Sequence, residues 1–208
     1  MIKRLGIFGG AFDPVHMGHT ESLKFISNLK IFDEIQVIPN YTSPQDKFIQ
    51  GNEMHRLKML EIALKDFKSI KLNKFELNDK NTSYTHKTLN FLKEIYPKTH
   101  FSLIIGLDSL HNFTTWKNWK NILSLCSLLV LERKLQDNKE LDKELESKIS
   151  SNIESFFSGH GKIFLLKNNL VNISSTEIRL KIKNNENLTG LVDKQVMDYI
   201  LSKSLYKR

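Results

Sequence analysis

The chain has 208 residues, 40% of them hydrophobic and 26% charged, the proportions of an ordinary globule large enough to bury a sizeable core. Its single cysteine, Cys126, excludes an intrachain disulfide and a cysteine metal cluster, and no apolar run approaches the ~20 residues that a membrane helix needs. The formal charge of +8 suits a polyanionic ligand such as a nucleotide and would equally suit RNA, although abundant lysine and asparagine also follow from the codon usage of an AT-rich genome.

From the amino end, Leu5–Phe8 is an apolar run short enough for a buried strand. It turns through Gly9 and Gly10, where a bare backbone can approach a ligand closely. Past Pro14, the segment Met17–Leu29 has helical spacing, and His16 and His19 stand at its start, three residues apart and able to face one side. Further strands are predicted at Glu34–Ile38, Ile70–Leu72, Phe101–Ile105, Ser127–Leu131 and Lys162–Leu165. Helices are predicted at Glu53–Asp66, Thr85–Tyr96 and Asn118–Leu125. The segment Lys134–Ile153 is charged and leucine-spaced, and reads as a solvated helix or loop without chemistry, part of a surface insertion over 134–160. Two helices, Ser175–Lys183 and Asp193–Lys203, close the chain. Strands alternating with helices predict an α/β protein with a Rossmann-like, doubly wound, mainly parallel sheet flanked by helices and a carboxyl-terminal helical pair. One domain, 1–208, is expected, with ligands at the carboxyl ends of the strands.

Four constellations carry chemistry. In the first, residues 6–19, a glycine turn leads from a strand into a helix, where α/β proteins hold phosphates, and two imidazoles beside it can meet charge growing on a phosphoryl group. In the second, the strand ending at Ile105 is followed by Gly106 and Asp108, whose carboxylate can accept hydrogen bonds from ribose hydroxyls or simply cap the next helix. Eight residues on, Trp116 offers a stacking face for a heteroaromatic ring, with a buried structural indole as the alternative, while Trp119 reads as structural. The third is Ser83-Tyr84-Thr85, at a helix start suited to a small anion, where Thr85 as an N-cap is the rival reading. In the fourth, Ile173-Ser174-Ser175-Thr176-Glu177-Ile178-Arg179, hydroxyls at a helix mouth stand one turn before a forked guanidinium, with Ser174 and Glu177 spaced as a capping box.

The first string resembles the G-G-x-F-D-P-x-H-x-G-H motif of the nucleotidyltransferase superfamily that contains the nicotinate-mononucleotide, nicotinamide-mononucleotide and pantetheine-phosphate adenylyltransferases. The other three resemble I-I-G-x-D with its following tryptophan, S-Y-T-x-x-T-L and I-S-S-T-x-I-R of the bacterial nicotinate-nucleotide adenylyltransferases, so that the likeness runs through most of the chain. The resemblance implies adenylyl transfer from ATP to nicotinate mononucleotide, giving nicotinate adenine dinucleotide and pyrophosphate in NAD biosynthesis, with Mg²⁺ accompanying ATP. It implies His16, His19 and Arg179 as catalytic groups. Gly9, Gly10, Phe12, Gly106, Asp108, Ser175 and Thr176 would join them around ATP, and Tyr84, Thr85 and Trp116 would surround the mononucleotide.

One loop departs from the family's P-N-x-x-P-P-H-K. After Pro39 and Asn40, Gln45 stands where the histidine would be and the basic residue, Lys47, is displaced by one, so Lys47 is carried over to the mononucleotide by a shifted register. Arg56 in the helix that follows reads as structural. No protein-bound metal site is expected, nor a nucleic-acid or membrane partner. A cytoplasmic setting is expected and a homo-oligomer is open. The amide mononucleotide is the nearest alternative substrate, and a nucleotide-sensing module without chemistry is the alternative outside enzymology.

Overall fold

The computed structural model describes residues 3–42, 49–132, 140–168 and 173–207. In chain order the elements are β1 (Lys3–Gly10), α1 (Met17–Asn28), β2 (Glu34–Pro39), α2 (Glu53–Leu64), β3 (Ile70–Leu72), α3 (Phe75–Asp79), α4 (Thr85–Ile95) and β4 (Thr99–Gly106). They continue with α5 (Leu107–His111), a 3₁₀ turn at Phe113–Thr115, α6 (Trp119–Leu125), β5 (Ser127–Glu132), α7 (Lys143–Glu146), α8 (Ile153–Phe156), β6 (Ile163–Lys167), α9 (Ser175–Lys183) and α10 (Lys194–Ser202). All six strands pair in parallel in the order β3-β2-β1-β4-β5-β6. The chain winds outward from β1 in one direction and then from β4 in the other, so the strand order reverses between these two, the point at which open α/β sheets leave a crevice.

The central strands carry apolar side chains on both faces, as parallel strands covered by helices must. On β4, Ile104 joins one core with Leu23 and Ile26 of α1, Met59 and Leu60 of α2, and Ile178 of α9. Its neighbours Leu103 and Ile105 join the opposite core with Leu89 and Leu92 of α4 and Ile122 of α6. Cys126 is fully buried in this second core, and desolvation pushes its thiol up to about 12, which leaves it inert at neutral pH.

Every predicted strand and helix is present, with boundaries moved by a few residues at most. Short additions separate them. α3 forms because the Asn73 side chain accepts from the Phe75 amide, at 2.9 Å, and the Phe75 ring stacks on Phe91 of α4 at 3.8 Å. The expectation of a solvated insertion over 134–160 needs correction in its described part, residues 140–160. Its charged side chains face solvent, but Leu145 and Phe156 are 1% and 0% exposed and enter the two cores on opposite sides of the sheet. Apolar anchors at the ends of two single-turn helices produce no readable period, which is why the segment looks merely charged. Replacing Phe156 with alanine is expected to cost about 3–5 kcal/mol in a urea unfolding measurement, the usual penalty for emptying a buried aromatic site; a surface insertion would give a change near zero.

Candidate active site

A cleft of about 900 Å³ opens over the carboxyl ends of β1 and β4. It gathers residues from every constellation named above: Gly9, Gly10, Phe12, His16, His19, Tyr84, Thr85, Asp108, Trp116, Ser175, Thr176 and Arg179. Gly106 is not among the lining residues. A side chain there would meet the Asp108 carboxylate at 2.5 Å, so the glycine makes room for an acid folded back over it. Asp108 is also not a helix cap, since Gly106 takes the cap position and Asp108 lies inside the first turn of α5. Lys47 lies outside the described residues.

The floor of the cleft is the connection from β1 to α1. Phe12 adopts φ +50, the left-handed region that a bulky side chain seldom occupies, and is 1% exposed. Its ring fills the space above Gly10, where a side chain would come within 3.2 Å of it, and meets the His19 ring edge-on at 5.0 Å. His16 and His19 stack with ring centroids 3.6 Å apart. The His16 amide donates to Nδ1 of His19 at 3.3 Å. In a neutral His19 the proton then sits on Nε2, which makes that nitrogen the donor of the ring. Gly18 permits this stack, because a Cβ at that position would lie 3.0–3.1 Å from the His16 ring.

The connection is held from below by a carboxylate to which no site role was assigned from sequence. Asp13, 1% exposed, accepts from the Gln50 amide at 2.7 Å, the Gly51 amide at 2.9 Å and the Tyr206 hydroxyl at 2.6 Å. Burial together with the Asp13 charge drives the Tyr206 phenol far above its ordinary range, so it remains a donor at all working pH values. Arg56, also 1% exposed, donates to the carbonyls of Ala11 (2.7 Å) and Tyr41 (3.3 Å), in keeping with its structural reading. Desolvation works against its charge, and the negative charge of Asp13 is the chief influence that opposes this. These partners lie 37 to 193 residues from Asp13, a separation that no local pattern reveals.

The rim comes from α9. Ser174 caps the helix, accepting from the Glu177 amide at 3.1 Å, which realises that half of the expected capping box. Ser175 donates to the Pro14 carbonyl at 3.0 Å, and Arg179 donates to the Asp13 carbonyl at 2.6 Å and to the Thr176 hydroxyl at 3.3 Å. Arg179 Nε is buried and has no partner among the described residues.

At the other end, Tyr84 is the N-cap residue of α4 and supplies no side-chain cap, so Thr85 is the first helical residue and not a cap. Ser83 accepts from the Tyr41 amide at 2.9 Å. Glu76, a lining residue missed by sequence reading, accepts from Thr88 at 2.6 Å, and burial raises its carboxyl above the ordinary range. Trp116 lines the cleft and packs on Phe113 at 5.3 Å between ring centroids, with its indole nitrogen buried.

Among the described residues, no group of His, Cys, Asp and Glu is arranged to hold a metal ion, and no helix is long and apolar enough to cross a membrane. Replacing Tyr206 with phenylalanine removes one hydrogen bond from a buried carboxylate and is expected to cost about 1.5–3 kcal/mol in a urea unfolding measurement.

The model of the cytidylyltransferase-like family matches residues 7–181. A probable nicotinate-nucleotide adenylyltransferase of Fusobacterium nucleatum is 37% identical over 199 residues, covering 95% of this chain and 96% of its own. Another, from Buchnera aphidicola, is 37% identical over 205 residues, covering 97% and 95%. Among solved structures, a Plasmodium falciparum nicotinic acid mononucleotide adenylyltransferase complexed with NaAD shares the fold, with a TM-score of 0.78 at 24% identity over 98% of this chain and 97% of that one.

Proposed function

Because the chain belongs to the cytidylyltransferase-like family and, within it, to the nicotinate-nucleotide adenylyltransferases, we propose that this cleft transfers the adenylyl group of ATP to nicotinate mononucleotide, releasing pyrophosphate and forming nicotinate adenine dinucleotide. The observation that carries the reading is the stacked His16–His19 pair beside the Gly9–Gly10 backbone, in a cleft rimmed by Arg179. These are donors gathered where a polyphosphate would lie.

An oxygen of the mononucleotide phosphate attacks the α-phosphorus of ATP in line, and the bond from that phosphorus to the bridging oxygen of the β-phosphate breaks. The electron pair leaves with pyrophosphate. A phosphate monoester is largely dianionic at neutral pH, so the nucleophile needs no general base. The protein therefore has two tasks, holding the reactants in line and meeting the charge that builds on the transferring group.

His19 Nε2–H and the His16 ring serve the second task at the α-phosphate. Arg179 serves it along the leaving polyphosphate, its position fixed by the bond to the Asp13 carbonyl. Asp108 takes the ribose hydroxyls of ATP, and Ser175 and Thr176 lie beside the phosphates. Trp116 stacks on the pyridine ring, and the start of α4 at Thr85 receives the nicotinate carboxylate.

The Asp13 oxygens are already occupied by amides and the Tyr206 hydroxyl, and among the described residues no group of His, Cys, Asp and Glu is arranged to hold a metal ion. This suits Mg²⁺ carried in on the triphosphate oxygens, where it would offset charge on the leaving group. ATP and the mononucleotide are charged small molecules, which fits a cytoplasmic setting.

Pyrophosphate release with ATP, measured with the acid and the amide mononucleotide side by side, tests the reading. Release with the acid form supports it, and tight ATP binding without release would make the protein a nucleotide sensor. His19→Ala is expected to lose at least a hundredfold in turnover, about 3 kcal/mol of transition-state stabilisation, with the fold retained. Near-normal turnover would remove the histidine from the mechanism.

A further inference from the structure

Among the described lining residues the permanent cations are Arg179 and Lys117, and the mechanism uses only the first. Lys117 directly follows Trp116 and is exposed at the cleft wall. Its ammonium stands over the Tyr84 ring, 4.5 Å from the centroid.

The backbone that carries it is pinned. The Trp116 amide donates to the Phe113 carbonyl at 3.0 Å, and the Trp119 amide donates to the Trp116 carbonyl at 3.1 Å. Asn118 turns through φ +57 to start α6. From the other side, His86 of α4, 9% exposed, packs against the Lys117 backbone. The stem is therefore fixed at its root, while its tip rests on an aromatic face that Lys87 of α4 approaches less closely, at 5.8 Å. Such a contact is weak at an exposed site, and a better partner for the ammonium can replace it.

The charges around this end favour a particular partner. Lys117 is the cation of the cleft lining that stands against Tyr84, so a carboxylate arriving beside that ring would meet its ammonium. The start of α4 contributes only partial charge. Resting on the assignment of nicotinate mononucleotide as substrate, we infer that Lys117 is a specificity-determining residue: its ammonium leaves the Tyr84 face to pair with the pyridine carboxylate and so selects the acid mononucleotide over the amide. A carboxamide gains nothing from the ammonium and turns donors of its own toward it.

Lys117→Met keeps the stem over Tyr84 and deletes the charge, and Lys117→Arg keeps the charge. With Met, kcat/KM for the acid mononucleotide should fall about tenfold, as expected for losing a charged hydrogen bond. The values for the amide form and the KM for ATP should stay within about twofold, so that the acid-to-amide ratio falls about tenfold. With Arg, most of the ratio should return. An unchanged ratio, or equal losses on both mononucleotides, overturns the inference while leaving the function standing. A wild-type protein that releases pyrophosphate with neither mononucleotide overturns both.

Discussion

Asp13, a buried residue of the β1–α1 connection, has both carboxylate oxygens engaged, and Gly9, Gly10, Phe12, His16 and His19 of the same connection line the cleft with it. A carboxylate taken out of water is tolerable only when its hydrogen-bonding capacity is met and a positive charge is near. Two backbone amides and a phenol meet the first demand. Arg179, 3.9 Å away, together with Arg56 meets the second. The arrangement keeps Phe12 in an unfavourable backbone region, and that displaced ring in turn braces His19. Strain is thus stored at this turn of the cleft floor and offset by the contacts of Asp13.

Arg179 belongs to both layers. One of its nitrogens donates to the Asp13 carbonyl, another to Thr176, and a third is buried without a partner among the described residues. A guanidinium can divide itself in this way because its donors are fixed in a plane, whereas a lysine could hold the loop or address a ligand but not both. The rim and the floor are therefore joined, and the geometry of the cleft wall at Arg179 is set by the same bonds that tie α9 to the β1–α1 connection.

What could be read in the sequence follows from the range of each interaction. The strands were legible because burial on both faces makes them short continuous apolar runs, as in Leu128–Leu131. The long helices were legible through their spacing. α3, α5 and α8 have five residues or fewer, too short to show a period, and were missed, while α7, equally short, lies in a segment read as a solvated helix or loop. Of the site, the glycines, histidines, Trp116 and Arg179 were visible because each lies in a compact local motif. Asp13 lies in the same motif, but its role is defined by Gln50, Gly51 and Tyr206, which only the fold brings near it. Glu76 and Lys117 escaped notice for a similar reason, as each matters through the Ser83–Thr88 segment of another element.

The bond between Tyr206 and Asp13 also sets an order in time. The β1–α1 connection leaves the ribosome early, and its strand can begin to pair as soon as β2 follows. Its buried acid nevertheless lacks one of its donors until residue 206 has been made, 193 positions later. A nascent chain therefore carries the β1–α1 part of the cleft long before all of the partners of Asp13 are present. Closing so long a loop is the kind of contact that topology makes slow. The consequence is a protein whose β1–α1 connection should become fully braced late in synthesis, when the residues that follow α10 reach Asp13, and not as each motif emerges.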